Sequence, residues 1–542
     1  MGVTRQRRSP SPAPRQCIVC RRRTPPPGAA PALLPTSVRA RTSTADATWQ
    51  DWTPASGLPR GNKVKYSGAL IADMDGDGWY DLVLNNHDQT RLQVYWNNRR
   101  GRFLRGQDAL PYRMDAHGMA AGDLGGAPGA DWVVMQGGSN GATPAPPRLL
   151  RTRGPARRLV QAQRRAGVAG PASAGRGRTP LLADLDGDGD LDLVLLNYDL
   201  AAGDRGPRQK VYENIGGGVF RQRRRTGLED LTVERAIVTD LNGDGRLDIV
   251  AFPYLRLLLA TGPFAFTDVT LRWLWGMPNW SALRYGVRAV AEVDTANAGV
   301  ADLYLCRHPR QDVLLRNRGT RLAASPAGAV PAGTASGDVT VGDFNNDGRL
   351  DLFLSHPAGT ANGRPGWRPD TLLTAIGDGR FRASTSHGAT QWTVAPGDSV
   401  QAFDYDRDGR LDLLVGGGDE VTAWRGFSGV PGPWSLFTST IPRAGAGGAT
   451  TGSYSPSAAR RRARAPRGGR RSASARGGGA QADVPPPPRG GGGGGGTTDE
   501  LRLVHFGLGG RDYVDQVRVR WSNGEVRWLS PPPVDKVTTV TK

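Results

Sequence analysis

Asp184-Leu-Asp186-Gly-Asp188-Gly-Asp190-Leu-Asp192 decides how the rest of the chain is read. Carboxylates stand at positions 1, 3, 5 and 9 of this nonapeptide, and Gly189 at position 6 permits the sharp turn that lets them converge. A cluster of hard oxygens suits Ca2+, which takes about 6–8 oxygen ligands. An EF-hand loop would need Glu at position 12, where this chain has Leu195. The apolar run Leu193-Val-Leu-Leu196 that follows reads as a buried strand, and a shorter apolar run precedes the loop. The stretch is therefore a metal loop joining two strands.

Four more copies carry the same spacing. They are Asp73-Met-Asp75-Gly-Asp77-Gly-Trp79-Tyr-Asp81, Asp240-Leu-Asn242-Gly-Asp244-Gly-Arg246-Leu-Asp248, Asp343-Phe-Asn345-Asn-Asp347-Gly-Arg349-Leu-Asp351 and Asp404-Tyr-Asp406-Arg-Asp408-Gly-Arg410-Leu-Asp412. Positions 1, 3, 5 and 9 of all five loops form the candidate ligand set, and position 7 joins it as Trp79, Asp190, Arg246, Arg349 and Arg410. About five structural Ca2+ ions are expected. Two further copies, Asp123 to Asp131 and Asp294 to Asp302, keep the span and the strand after it but lack the carboxylates at positions 3 and 5. They read as the same hairpin without its metal. The first Asp falls at 73, 123, 184, 240, 294, 343 and 404, in steps of 49 to 61 residues. A step of that size holds four short strands, so seven copies predict an all-β, seven-bladed propeller.

A second element recurs after the loops, as Tyr95-Trp-Asn97-Asn-Arg-Arg-Gly101-Arg-Phe103 and Tyr212-Glu-Asn214-Ile-Gly-Gly-Gly-Val-Phe220. Weaker versions are Leu315-Arg-Asn317-Arg-Gly319 and Ile376-Gly-Asp-Gly-Arg-Phe381. Asn and Gly before an aromatic are hairpin chemistry, because both tolerate positive φ. Together the two elements resemble the FG-GAP/VCBS repeat of integrin α-subunit propellers, over residues 46–437. Trp49-Gln-Asp51-Trp52, which precedes the first loop, has a relative in Phe266-Thr-Asp268-Val-Thr270. It is expected to supply a strand to the last blade and close the ring, which removes free sheet edges.

The net charge of +20 suggests an anionic partner until its distribution is read. Residues 1–41, 150–178 and 459–476 hold nine, eight and eight Arg with no acid, more than the whole excess. The remainder is mildly acidic, which argues against nucleic acid as partner. Residues 1–45, with eight Pro by position 35, read as a disordered or targeting tail without an apolar secretory core. Cys17-Ile-Val-Cys20 is half a zinc or redox motif, and only Cys306 stands elsewhere, so no disulfide framework is expected. Residues 136–180 read as an Arg/Gly/Pro-rich protruding loop, and Trp273, Trp275 and Trp280 as packing between blades.

Beyond residue 437 the repeat stops. Gly445 to Ser457 leads into an Arg/Gly/Pro tract at 457–498, whose composition cannot bury a core. Structure is expected to resume at 499–542, where His505-Phe-Gly507-Leu-Gly509 is followed by an alternating strand, Val517-Arg-Val-Arg-Trp521, an Asn-Gly turn and a second strand. These residues resemble the ASPIC/UnbV module, with 438–456 as its first part and Ser522 in place of the usual Pro. FG-GAP repeats followed by this module are the arrangement of the cartilage acidic protein family. That resemblance implies an extracellular, calcium-binding, non-enzymatic protein with adhesion or matrix roles. The acid-poor tail leaves an organellar address as the alternative.

His87, His117, His308, His356, His387 and His505 show no ligand spacing, and no nucleophile elbow, P-loop or dinucleotide fingerprint is present. Identical repetition points to structural rather than catalytic calcium, since an active site is usually unique. The reading is a monomeric recognition or adhesion scaffold for an extracellular protein or glycan. Its alternative is a polysaccharide- or phosphoester-cleaving enzyme built on the same propeller.

Overall fold

The computed structural model describes residues 47–417 apart from 59–68, 86–89, 126–128, 138–143, 154–156, 199–207, 297–299, 357–358, 362–363, 367–368, 390–396 and 409; outside that range it describes only the strands Ile18–Cys20, Trp434–Ser439, Val517–Arg520 and Val526–Leu529. Seven four-stranded antiparallel sheets stand among these residues, one for each loop copy. In blade 1 the strands run Leu70–Ala72, Asp81–Leu84, Gln93–Asn97 and Phe103–Asp108, each paired with the next. Blades 2 to 6 repeat this meander from Ala116–Gly122, Gly177–Ala183, Arg235–Thr239, Ala289–Val293 and Asp338–Gly342. Blade 7 takes three strands from Gly397–Phe403, Asp412–Gly417 and Trp434–Ser439, and its fourth is Trp49–Asp51. The N-terminal segment closes the ring as its likeness to Phe266–Thr270 predicted: Thr53 N donates to Asp51 and Thr270 N to Asp268 in the same way.

Buried side chains fall into seven clusters, and each bridges two neighbouring blades. The cluster of Ala69, Ile71, Leu82, Phe403, Tyr405 and Leu414 joins blade 7 to blade 1. Nearby, Gln401 Nε2 donates to Ala69 O at 2.9 Å. Every blade is thus packed on both faces, which is why its second strand reads as a continuous apolar run rather than an alternating one.

Two expectations need correction. Residues 136–180 are not one protruding loop: Arg148–Arg153 and Arg158–Gln161 are the third and fourth strands of blade 2. Arginine disguised them: Arg158–Gln161 is the outer strand and leaves most of its side chains exposed, while in the inner strand Arg148 reaches over the Tyr112 ring and Arg151 to Asp131. The tryptophans before the fifth loop also divide, with Trp273 buried and Trp275 74% exposed. Val517–Arg520 and Val526–Leu529 pair as the anticipated hairpin, and Ile18–Cys20 adds to its free edge. The low-complexity tract lies outside the described residues. No helix among the described residues is long and apolar enough to cross a membrane.

Candidate metal centres

Each loop is wound around the carboxylate at position 1. Asp73 Oδ1 accepts from Gly76 N and Asp77 N at 2.8 and 3.0 Å, and Oδ2 from Gly78 N at 2.6 Å. Asp184, Asp240 and Asp343 hold their loops in the same manner, and Asp404 accepts from Asp408 N. Such winding needs left-handed backbone at position 6, supplied by Gly78, Gly189, Gly245 and Gly348. It needs it equally at position 4, where Asn346 and Arg407 adopt φ of 56° and 59°. Sequence reasoning credited only position 6, because position 4 tolerates side chains.

Position 9 is the strut between loop and sheet. Asp81 accepts from Met74 N at 3.2 Å and Asn97 N at 2.8 Å, Asp192 from Leu185 N and Asn214 N at 2.8 and 2.9 Å, and Asp248 from Leu241 N and Ala260 N, both at 2.8 Å. The residue at position 2 (Met74, Leu185, Leu241, Phe344, Tyr405) is buried, so apolar packing anchors the loop from beneath.

The carboxylates at positions 1, 3 and 9 come together. Ligand atoms of Asp73, Asp75 and Asp81 lie within 4.8 Å of one another, as do those of Asp184, Asp186 and Asp192 and of Asp404, Asp406 and Asp412. The loops with Asn242 and Asn345 at position 3 form no such three-carboxylate group among the described residues. Position 5 is turned toward cations of the protein itself. Asp244, Asp347 and Asp408 each pair with the Arg at position 7 of their own loop, and Asp77 with Arg99. A Trp or Arg at position 7 has no side-chain acceptor and can offer a metal only its main-chain oxygen.

Burial and crowding mark these clusters electrostatically. Burial, with Asp75 and Asp77 adding charge, pushes Asp81 up to about 8, and burial likewise pushes Asp192 up to about 8. Asp73 rises to about 6 for the same reasons. Asp248 and Asp343 rise to about 7. Converging all-oxygen donors whose negative charge the neighbouring arginines offset only in part fit a hard divalent cation. Several buried Asp clusters of this chain are thus able to hold a metal ion.

The second repeated element does more than turn a hairpin. Asn97 Nδ2 donates to Tyr80 O in its own loop at 3.2 Å and to Tyr405 O in the loop of blade 7 at 2.9 Å. Asn214 joins Leu191 O to Leu124 O, and Asn317 joins Ala301 O to Leu241 O. One amide therefore ties adjacent loops together at three blade junctions. Ala260 and Ala375 fill the equivalent place in blades 4 and 6, so the hairpin itself does not require it. Asn214→Ala is expected to cost about 2–4 kcal/mol by stranding two buried carbonyls, seen as a lowered thermal midpoint.

Comparison with known proteins agrees with this architecture. The model of the FG-GAP-like repeat matches residues 73–126, 184–251 and 294–354, and that of ASPIC and UnbV matches 489–542. The chain carries FG-GAP-like repeats and a C-terminal ASPIC and UnbV module. No curated protein matches it. Solved structures similar to this FG-GAP chain include an Agrocybe aegerita lectin recognising non-reducing terminal N-acetylglucosamine, at 18% identity and TM-score 0.42 over 60% of this chain and 81% of that one. Rhamnogalacturonan lyase YesW matches at 14% and 0.38, over 73% and 76%. The V. cholerae biofilm matrix protein Bap1 matches at 15% and 0.28, over 66% and 45%. At these values no ligand and no activity is transferred.

Proposed function

We propose that this protein is a calcium-stabilised, non-catalytic recognition scaffold that binds an extracellular glycan on the end of the ring opposite its metal loops. The carrying observation is where the exposed aromatics sit. In an up-and-down blade the loop between first and second strands leaves one end, and the second-to-third and blade-to-blade connections leave the other. All five exposed large aromatics among the described residues, Tyr112, Tyr198, Tyr254, Trp275 and Tyr285, lie in connections of that other end. Arginines stack on three of them: Arg148 on Tyr112 at 5.9 Å, Arg176 and Arg178 on Tyr198 at 4.5 and 5.2 Å, and Arg284 on Tyr285 at 5.9 Å. Tyr198 and Tyr254 line a cavity of about 280 Å³ with Arg208, Thr232, Glu234 and Pro253, and the Tyr254 ring meets that of Tyr285 at 5.8 Å.

Exposed rings beside guanidinium groups suit sugar faces and the carboxylate or sulfate groups of acidic glycans. The five intact loops (Asp73 to Asp81, Asp184 to Asp192, Asp240 to Asp248, Asp343 to Asp351 and Asp404 to Asp412) are read as structural calcium sites that fix the ring. Asn at position 3 lowers ligand charge, which suits the millimolar calcium outside cells. A glycan array run with and without calcium tests the proposal. Binding to acidic glycans should weaken about tenfold in Tyr254→Ala while melting stays unchanged. Equal binding by wild type and variant would count against it.

A further inference from the structure

The two loops that lack carboxylates at positions 3 and 5 are not left with a bare charge. In blade 2 Arg151 Nε lies 3.1 Å from Asp131 Oδ2, and in blade 5 Arg316 Nε lies 3.0 Å from Asp302 Oδ2. Both carboxylates stand at position 9, and all four side chains are largely shielded, with exposures of 13% and 4% for the first pair and 15% and 5% for the second.

The two arginines also share one register position. Continuing the antiparallel register by one residue, the residue facing position 9 is Trp96, Arg151, Glu213, Leu259, Arg316, Thr374 and Thr438 in blades 1 to 7. Arginine occurs there in the two degenerate blades and in none of the five intact ones. Arginines near the intact loops reach positions 3 and 5 instead, and Arg157, 2.6 Å from Asp75, is 31% exposed on a turn. Each buried guanidinium also has its own recess in the following blade. A Cβ added at Gly218 would collide with Arg151 Nη2, and one at Gly379 with Arg316 Nη1. These glycines hold the same place, two residues before Phe220 and Phe381.

We infer that Arg151 and Arg316 are tethered cations standing where the metal stands in the other blades. The ring then carries positive charge at all seven loops and draws only five of those charges from solution. This rests on the calcium reading of the intact loops, but it concerns the two loops that calcium does not serve. It also explains why losing four carboxylates left the hairpins intact: a guanidinium neutralises the strut that the missing ion would have neutralised.

Thermal melts of Arg316→Met, Arg316→Lys and Asp302→Asn/Arg316→Met, each in excess calcium and in excess EGTA, test the inference. Arg316→Met should lower the midpoint by about 4–6 °C, equally in both solutions, because it strands a buried carboxylate. The lysine variant should recover at least half of that loss, and the double variant should be less destabilised than Arg316→Met alone. A midpoint within about 1 °C of wild type, no recovery by lysine, or a loss confined to EGTA would each overturn it. If Arg316→Met does not fold, Gly379→Ala is compared with Gly377→Ala. Both sites have positive φ, at 68° and 91°, but only the first meets the guanidinium. Gly379→Ala melting no lower than Gly377→Ala would also overturn the inference. A wild-type midpoint indifferent to calcium would instead remove the calcium reading and leave the arginine result standing.

Discussion

Chelation at pH 7.5 is expected to lower the thermal midpoint of the ring by about 15 °C relative to protein in excess calcium. A ligand held only by the folded state, present at a hundredfold over its dissociation constant, stabilises by about 2.7 kcal/mol per site. Five loops of this kind, from Asp73 to Asp412, contribute more than about 10 kcal/mol, comparable to the entire stability of an ordinary domain. For a ring running from Trp49 to Ser439, a change of about 1 kcal/mol moves the midpoint by about 1 °C. The effect should be shared around the ring rather than confined to single blades. Asn97, Asn214 and Asn317 each tie one loop to its neighbour, so loosening one loop disturbs the next. Calorimetry on protein first shown to be metal-free checks this. A melting curve unchanged by excess EGTA would falsify the structural-calcium reading.

Much of this architecture was legible because the loop imposes its own sequence. Asp at positions 1 and 9 has fixed hydrogen-bonding duties, and it persists even in the degenerate copies Asp123 to Asp131 and Asp294 to Asp302. That persistence gave the blade count, while the closing strand at Trp49 came from its likeness to the segment at Phe266. Contacts formed across the sequence were not legible. Nothing local to Arg151 distinguishes it from the other arginines of an apparent loop, since its meaning lies in Asp131 facing it and in Gly218 of the next blade. The clamp made by Asn97 was likewise hidden, because its partner Tyr405 lies at the other end of the repeat array. Hairpin chemistry explained Asn97 well enough to conceal the rest: its Oδ1 does accept from Arg99 N at 2.8 Å.

The second large effect concerns pH, and its sign is the reverse of ordinary acid denaturation. In the metal-free protein burial pushes Asp81 and Asp192 up to about 8 and Asp248 and Asp343 up to about 7, against an unperturbed value near 3.8. Between about pH 4 and pH 8 the folded state therefore binds more protons than the unfolded chain, and stability falls as pH rises. The contribution of each group is complete below its unfolded pKa and is lost as pH passes its folded one. A carboxyl moved from about 4 to about 8 loses about 5 kcal/mol across that window. Calcium replaces the proton as the neutralising charge, so the calcium-loaded protein should show little of this decline. Asp370, buried beside His356 N and raised to about 7, and Asp131, raised to about 6, stand outside the five loops and titrate in both states. Their effect cancels when the two melting curves are subtracted. The gap between the calcium and EGTA midpoints should thus be narrowest near pH 5 and widest near pH 8. Because binding displaces protons, calcium affinity should rise over the same range, by about tenfold per pH unit where one proton leaves. Melting at pH 5, 6, 7 and 8 in each solution decides the matter: an EGTA curve that climbs with pH would mean that the loop carboxylates are already ionised and compensated without a cation.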